Sequence, residues 1–480
     1  MRKFCFNYAY FLSIILHCGD KKMRAIKQRK TVSMISGSPL KHIILFAIPL
    51  LIGNIFQQIY SAVDTMIAGR SIGDDAIAAI GSTSSLYSLI FNFAIGLNMG
   101  YGIVISQAFG ANDENKYKKA IATSFVLNII MTILLTTITV TFLKPFMHFL
   151  NTPDDIFNQA YSYMIIICIG ITCTVAYNMF ACILRAVGNS KTPLYCLIIS
   201  SIVNVILDIL FMGIFKWGVA GAAIATVISQ TVSALICGIL VFTRYKEILP
   251  SKEDFKIKKS ILISLISIGL SMALMYTIVD IGSIIFQRAN NELGQDFISA
   301  HTASRRLIGI LCQPLGTIGS AFSTFTGQNY GAGKYDRIKK SLMQVFLIEI
   351  AWSLFVMFIV FVAGGWIVQF ITGSKNKEII DNGLLSLKWH VSFFIPLGLL
   401  CCLRTGMQAM GRKFAPLLSS GVECGLKLVS AKLFIPKYGF IATCMTEPII
   451  WTCMFIVLLV AYLLLKKKMF LNDKDKKAFS

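Results

Sequence analysis

Charge is scarce in this sequence, and acidic charge scarcest. Only 14% of the 480 residues are Asp, Glu, Lys or Arg, where an average soluble domain carries about 25%. A soluble fold of this length is therefore excluded. Histidine numbers five, and neither an HExxH stretch, a nucleophile elbow nor a P-loop occurs. Those absences speak against a membrane-embedded enzyme and against ATP-driven pumping. The thirteen cysteines include no CxxC pair and no Cys/His spacing suited to a metal. Cys168, Cys173, Cys182 and Cys237 lie inside apolar runs and read as small apolar filler. No filter-like motif suggests a channel.

Positive charge is plentiful by comparison: 45 Lys and Arg face 23 acidic residues, a net +22. The basic residues do not gather on a compact domain, which argues against nucleic acid as a partner. They sit between apolar runs, the pattern of juxtamembrane loops.

Those runs dominate the chain, which is 56% hydrophobic. Stretches long enough to span a bilayer, about 20 residues each, fall near 43–67, 80–106, 120–143, 158–183, 193–214 and 218–243. Six more fall near 260–287, 298–326, 341–363, 383–410, 414–435 and 439–465. The expected fold is all-α and integral to the membrane, with twelve transmembrane helices. The expected divisions are an N-terminal extension (1–40), a six-helix lobe (41–243), a polar linker (244–259), a second six-helix lobe (260–465) and a basic tail (466–480). Within the extension, 4–18 is apolar but short for a span. The basic stretch 21–30 suggests an upstream start, with Met23 or Met34 the initiator. With both ends placed inside, 32 of the 45 Lys and Arg fall in inside segments.

The halves repeat. Ser106-Gln107-Ala108-Phe109-Gly110-Ala111 returns as Gly327-Gln328-Asn329-Tyr330-Gly331-Ala332, an offset of 221. Arg185-Ala186-Val187-Gly188 returns as Gln408-Ala409-Met410-Gly411 at 223, and Trp217-Gly218-Val219 as Tyr438-Gly439-Phe440 at 221. Six spans separate equivalent points, so the lobes are related by an axis along the membrane normal, with a cleft between them.

Polar groups inside spans are costly, and so point to function. Asp64 ends the first span. Asp208 lies in the fifth, one helical turn after Asn204, so both project from one face. Tyr163 and Asn178 lie in the fourth span and Thr226 in the sixth. All belong to the first half. Together their oxygens would cage a proton or a monovalent cation. Taken singly, Asp64 also suits a helix end facing water, Asp208 an interhelical hydrogen bond, and the others ordinary packing.

The chain resembles the multidrug and toxic compound extrusion (MATE) family of bacterial efflux transporters over roughly 40–465. The resemblance rests on Pro49-Leu50-Leu51-Ile52-Gly53-Asn54, Val63-Asp64-Thr65-Met66-Ile67-Ala68-Gly69, Gln107-Ala108-Phe109-Gly110, Arg185-Ala186-Val187-Gly188-Asn189, Asn204-Val205-Ile206-Leu207-Asp208 and Gly218-Val219-Ala220-Gly221-Ala222-Ala223. It implies two lobes around a central cleft, and export of amphipathic, often cationic compounds by alternating access in exchange for H⁺ or Na⁺, without a cofactor. It also implies a monomer in a bacterial inner membrane, with lipids and small molecules as partners. It places the cation site at Asp64, Tyr163, Asn178, Asn204, Asp208 and Thr226. The tenth span has no acidic residue, which resembles the DinF-like branch, and a second site at Asp280 in the seventh span is a lesser expectation. A lipid-linked precursor flippase is the alternative, and would need a basic cleft.

Three further expectations concern the second half. Glu292, Asp296, His301, Arg305 and Arg306 read as a surface ion-pair group at the seventh-to-eighth turn, or as part of a gate. Glu423 and Lys427, four apart, read as an intramembrane salt bridge. The cleft should be lined by apolar, aromatic and Met side chains, a lining suited to many ligands.

Overall fold

Apolar runs in a bilayer must satisfy their backbone groups internally, and helices do so. In the computed structural model, residues 31–150, 152–372 and 376–478 are described, and among them no strand occurs. The 4–18 stretch and Met23 lie outside the described residues. The first half holds α1 (Pro39–Ser71), α2 (Asp74–Gly110), α3 (Glu114–Phe149), α4 (Asp154–Ile169), α5 (Ile171–Ala186), α6 (Lys191–Asp208) and α7 (Gly218–Arg244). The second holds α8 (Lys259–Asn291), α9 (Gln295–Leu311), α10 (Gln313–Gly331), α11 (Tyr335–Thr372), α12 (Lys377–Ser392), α13 (Phe394–Ala409), α14 (Phe414–Val429), α15 (Ile435–Tyr438) and α16 (Phe440–Ala478). Local signals set several ends. Pro39 opens α1 where its missing N–H costs nothing. Asp113 caps α3 by accepting from the Lys116 amide at 2.9 Å.

These helices make twelve spans. Nine helical runs among the described residues are long and apolar enough to cross alone, α9 and α10 acting as one. Two spans are broken. α4 and α5 meet at 45°, and α12 and α13 at 48°. Pro396 explains the second break, because it offers no N–H to the Ser392 carbonyl. At the first, Gly170 lets α7 close in: a Cβ there would lie 2.3 Å from Val227. The twelfth span is α14, which continues through a wide π-helical turn, Ser430–Phe434, into α15. Its counterpart is the π-helical turn Ile209–Ile214 that follows α6. Bends and π turns thus repeat at the spacing of the sequence motifs.

The lobes meet along α2 and α8. Gly96 and Gly100 face Ala273 and Gly269 so closely that a Cβ on either would come within 2.7 Å of the opposite backbone, the small-residue packing that lets membrane helices touch. At the end carrying Lys118–Lys119 and Lys339–Lys340, the basic face, the repeated motifs form a clasp. The Gln107 side chain donates to the Ala409 carbonyl at 2.7 Å, and Gln328 to that of Ala186 at 3.0 Å. A strap over 32–37 crosses the same face. The Val32 amide donates to Val187 O, the Met34 amide to Gln328 Oε1, and Arg337 donates to the carbonyls of Met34 and Gly37.

Candidate functional site

Asp64 sits on α1 and is half-buried, while Asp208 and Asn204 on α6 are closed off almost completely. The two carboxyl groups lie close enough to influence each other. Asp208 is the last residue before the first π turn, a distortion that often marks functional positions. Tyr60, one turn before Asp64, and Tyr163 stand beside both carboxyls, and Tyr87 beside Asp64. Both Asp208 oxygens, Asp64 Oδ1 and the Asn204 amide oxygen and nitrogen are buried without a hydrogen-bond partner. Buried polar groups in folded proteins are nearly always paired, so this cluster is built to take up something positive. Two carboxyls face to face need a proton or a cation between them. Among the described residues no three His, Cys, Asp or Glu converge to hold a metal ion. The charge count suits a proton or a monovalent cation.

Between the lobes lies a chamber of about 140 Å³, and a second of about 330 Å³ is walled by the first lobe alone. Both are lined by Leu50, Asn54, Ile95, Asn178 and Arg185, so they adjoin. Their walls are not the apolar and Met surface expected. Amides and hydroxyls such as Asn98, Gln230, Ser320 and Thr324 alternate with Phe46, Phe91 and Met99. Asn178 belongs here and not with the carboxyls, its amide donating to Thr174 O at 2.9 Å. Neither Asp64 nor Asp208 lines the chambers, whereas Gln57 and Tyr87 do. Tyr60, beside both carboxyls, also lies against Gln57. Thr226 is half-buried on α7, and Glu447 is its equivalent 221 residues on.

The second lobe carries buried charges beyond the expected Glu423–Lys427 bridge and Asp280. Glu447 on α16 pairs with Arg305 of α9, and His390 Nε2 of α12 lies 3.4 Å from the same carboxylate. His301 is buried against Asn290, which also accepts from Thr443 at 2.7 Å. The surface group expected at this turn therefore does not form. His301 and Arg305 turn into the lobe, Glu292 is exposed, and the Asp296 side chain lies outside the described set. Glu349 of α11 is fully buried, with Oε2 unpartnered and Oε1 3.5 Å from Cys402 Sγ. The Glu423–Lys427 bridge forms at 2.9 Å, with Arg404 at 3.7 Å. Asp280 accepts from Asn92 of the other lobe at 2.9 Å, so it joins the lobes, with Lys427 and Glu423 near it. Glu349 and Glu447 each stood alone in a long apolar run, a signal that was present in the sequence and passed over.

A family model described as MatE matches residues 49–210 and 268–432, most of both lobes. The chain belongs to the MatE family. Two similar proteins come from Bacillus subtilis (strain 168). The probable multidrug resistance protein YoeA is 28% identical over 361 residues, 73% of this chain and 77% of that one. The probable multidrug resistance protein YpnP is 27% identical over 375 residues, 76% of this chain and 81% of that one. The fold matches a solved structure described as the outward-facing conformation of a multidrug resistance MATE family transporter, with a TM-score of 0.85 at 20% identity, over 92% of this chain and 99% of that one. This MatE protein is accordingly a multi-pass membrane transporter.

Proposed function

We propose that the protein is a secondary antiporter, exporting amphipathic small molecules in exchange for H⁺ or Na⁺ by alternating access. The observation that carries this is the cluster of unpartnered oxygens at Asp64, Asn204 and Asp208, set behind the chamber wall. A cation bound there cancels carboxylate charge next to the π turn of α6. Cargo in the chamber and cation behind it then favour different arrangements of the same helices, which couples them without direct competition. One positive charge moving inward through 100 mV releases about 2.3 kcal/mol, enough to hold a neutral cargo at roughly a fifty-fold gradient. In this reading the protein spans a bacterial inner membrane with its basic face and both chain ends on the cytoplasmic side, and the monomer is the working unit.

Proton or Na⁺ release on cargo binding tests the coupling. Purified protein in weakly buffered detergent should release one of the two ions when cargo is added, and Asp208→Asn should abolish the release. Cargo binding that releases neither ion would contradict the proposal.

The expectation of often cationic cargo came from the family resemblance and, beside it, from the two carboxyls. Since neither faces the chamber, that expectation is not part of the proposal.

A further inference from the structure

We infer that the interlobe chamber recognises an anionic group, a carboxylate or phosphate carried on an apolar body, through Arg185. This deepens the antiport reading and rests on it for the chamber's role as cargo site.

Arg185 is the one charged residue lining either chamber, and it lines both. Arg305 has Glu447, while Lys427 and Arg404 share Glu423. Among the described residues, Arg185 has no acidic partner, and its Nε is buried without any acceptor.

A structural role at the end of α5 would be the ordinary explanation, because a cation there can bond the last carbonyls of the helix. Two of those carbonyls are already engaged. Ala186 O accepts from Gln328, and Val187 O from the Val32 amide. Arg185 donates to no carbonyl among the described residues. The clasp thus satisfies the helix end and leaves the guanidinium to the chamber.

An unpaired guanidinium away from bulk water is costly, and its planar donors match a carboxylate or phosphate in two-point contact. Around it, Asn54 and Asn178 offer amide groups, while Phe46, Ile95 and Met99 offer apolar wall. The combined space suits a ligand of one to three rings. Exchange of such an anion for a proton would move two charges through the membrane potential in the favourable direction.

The test is equilibrium binding to the full chain in neutral detergent, with three ligands sharing one ring system: 2-naphthoate, 2-naphthalenemethanol and 2-naphthyltrimethylammonium. Naphthoate should bind at least tenfold more tightly than either of the others. Arg185→Gln should remove that preference while keeping naphthalenemethanol binding, and Arg185→Lys should keep part of it. The wild-type comparison of the three ligands requires no ion release or gradient, so the antiport reading can fail without this one. If the wild type binds the ammonium ligand as tightly as naphthoate, the inference is wrong; that comparison needs no variant to fold. Phosphatidylglycerol and inorganic phosphate serve as competitors. Displacement of naphthoate by phosphatidylglycerol alone assigns the site to a lipid headgroup, and displacement by inorganic phosphate assigns it to a free anion.

Discussion

Gln107 and Gln328 reach across the lobe boundary in opposite directions, each donating to a carbonyl that terminates the other lobe's bent span. Their motifs are the two halves of the sequence repeat, and the repeat exists because the clasp uses it twice. Each net hydrogen bond is worth about 1 kcal/mol. Replacing both glutamines by Ala should therefore shift the balance between closed and open basic faces by roughly thirty-fold. Thiol labelling of Ser323→Cys from the basic side, in a background lacking other reactive cysteines, should speed up accordingly. An unchanged rate would mean that the clasp does not hold the face shut.

Gly110 and Gly331 sit inside that clasp. A Cβ on Gly110 would lie 1.9 Å from the Gln328 carbonyl oxygen, and one on Gly331 would lie 1.9 Å from that of Gln107. Backbone cannot yield as a flexible side chain can, so Gly110→Ala should destabilise by several kcal/mol, of the order of other overpacked sites. Gly316→Ala, where a Cβ meets nothing within 4 Å, is the control and should be neutral or slightly stabilising. Thermal unfolding in detergent compares the two.

The Arg305–Glu447 pair joins a buried carboxylate to a guanidinium that is 42% exposed. Arg305→Met strands the buried Glu447 carboxylate and should cost about 3 kcal/mol, whereas Glu447→Leu leaves an exposed guanidinium and should cost less. The double substitution should recover most of the loss, because two apolar side chains replace two charges. A thermal double-mutant cycle measures this. Additive losses would show that the pair is not coupled.

The spans, their order, the two-lobe repeat and the family resemblance were legible because apolar length and loop charge are strong signals. The bends at Gly170 and Phe393 and the two π turns were not. They arise from close approach between helices and from a single missing donor at Pro396, neither of which alters hydropathy. At the site, Asp64, Asn204 and Asp208 were legible because a carboxylate in an apolar run is rare, and Tyr163 joins them. Asn178 was misplaced because α4 and α5 bend between the two residues, turning it to the chamber. Arg185 stood in the sequence as part of a repeated motif. Only the engagement of the neighbouring carbonyls by Gln328 and Val32 shows that its guanidinium is left for the chamber.

The central claim is that the Asp64–Asp208 cluster couples ion entry to cargo exit. Cargo uptake by proteoliposomes under imposed pH and Na⁺ gradients, with wild type, Asp64→Asn and Asp208→Asn side by side, tests it most directly. One gradient should drive accumulation in the wild type, and both variants should lose that response while still binding cargo. Gradient-driven transport of wild-type size in both variants would contradict the account.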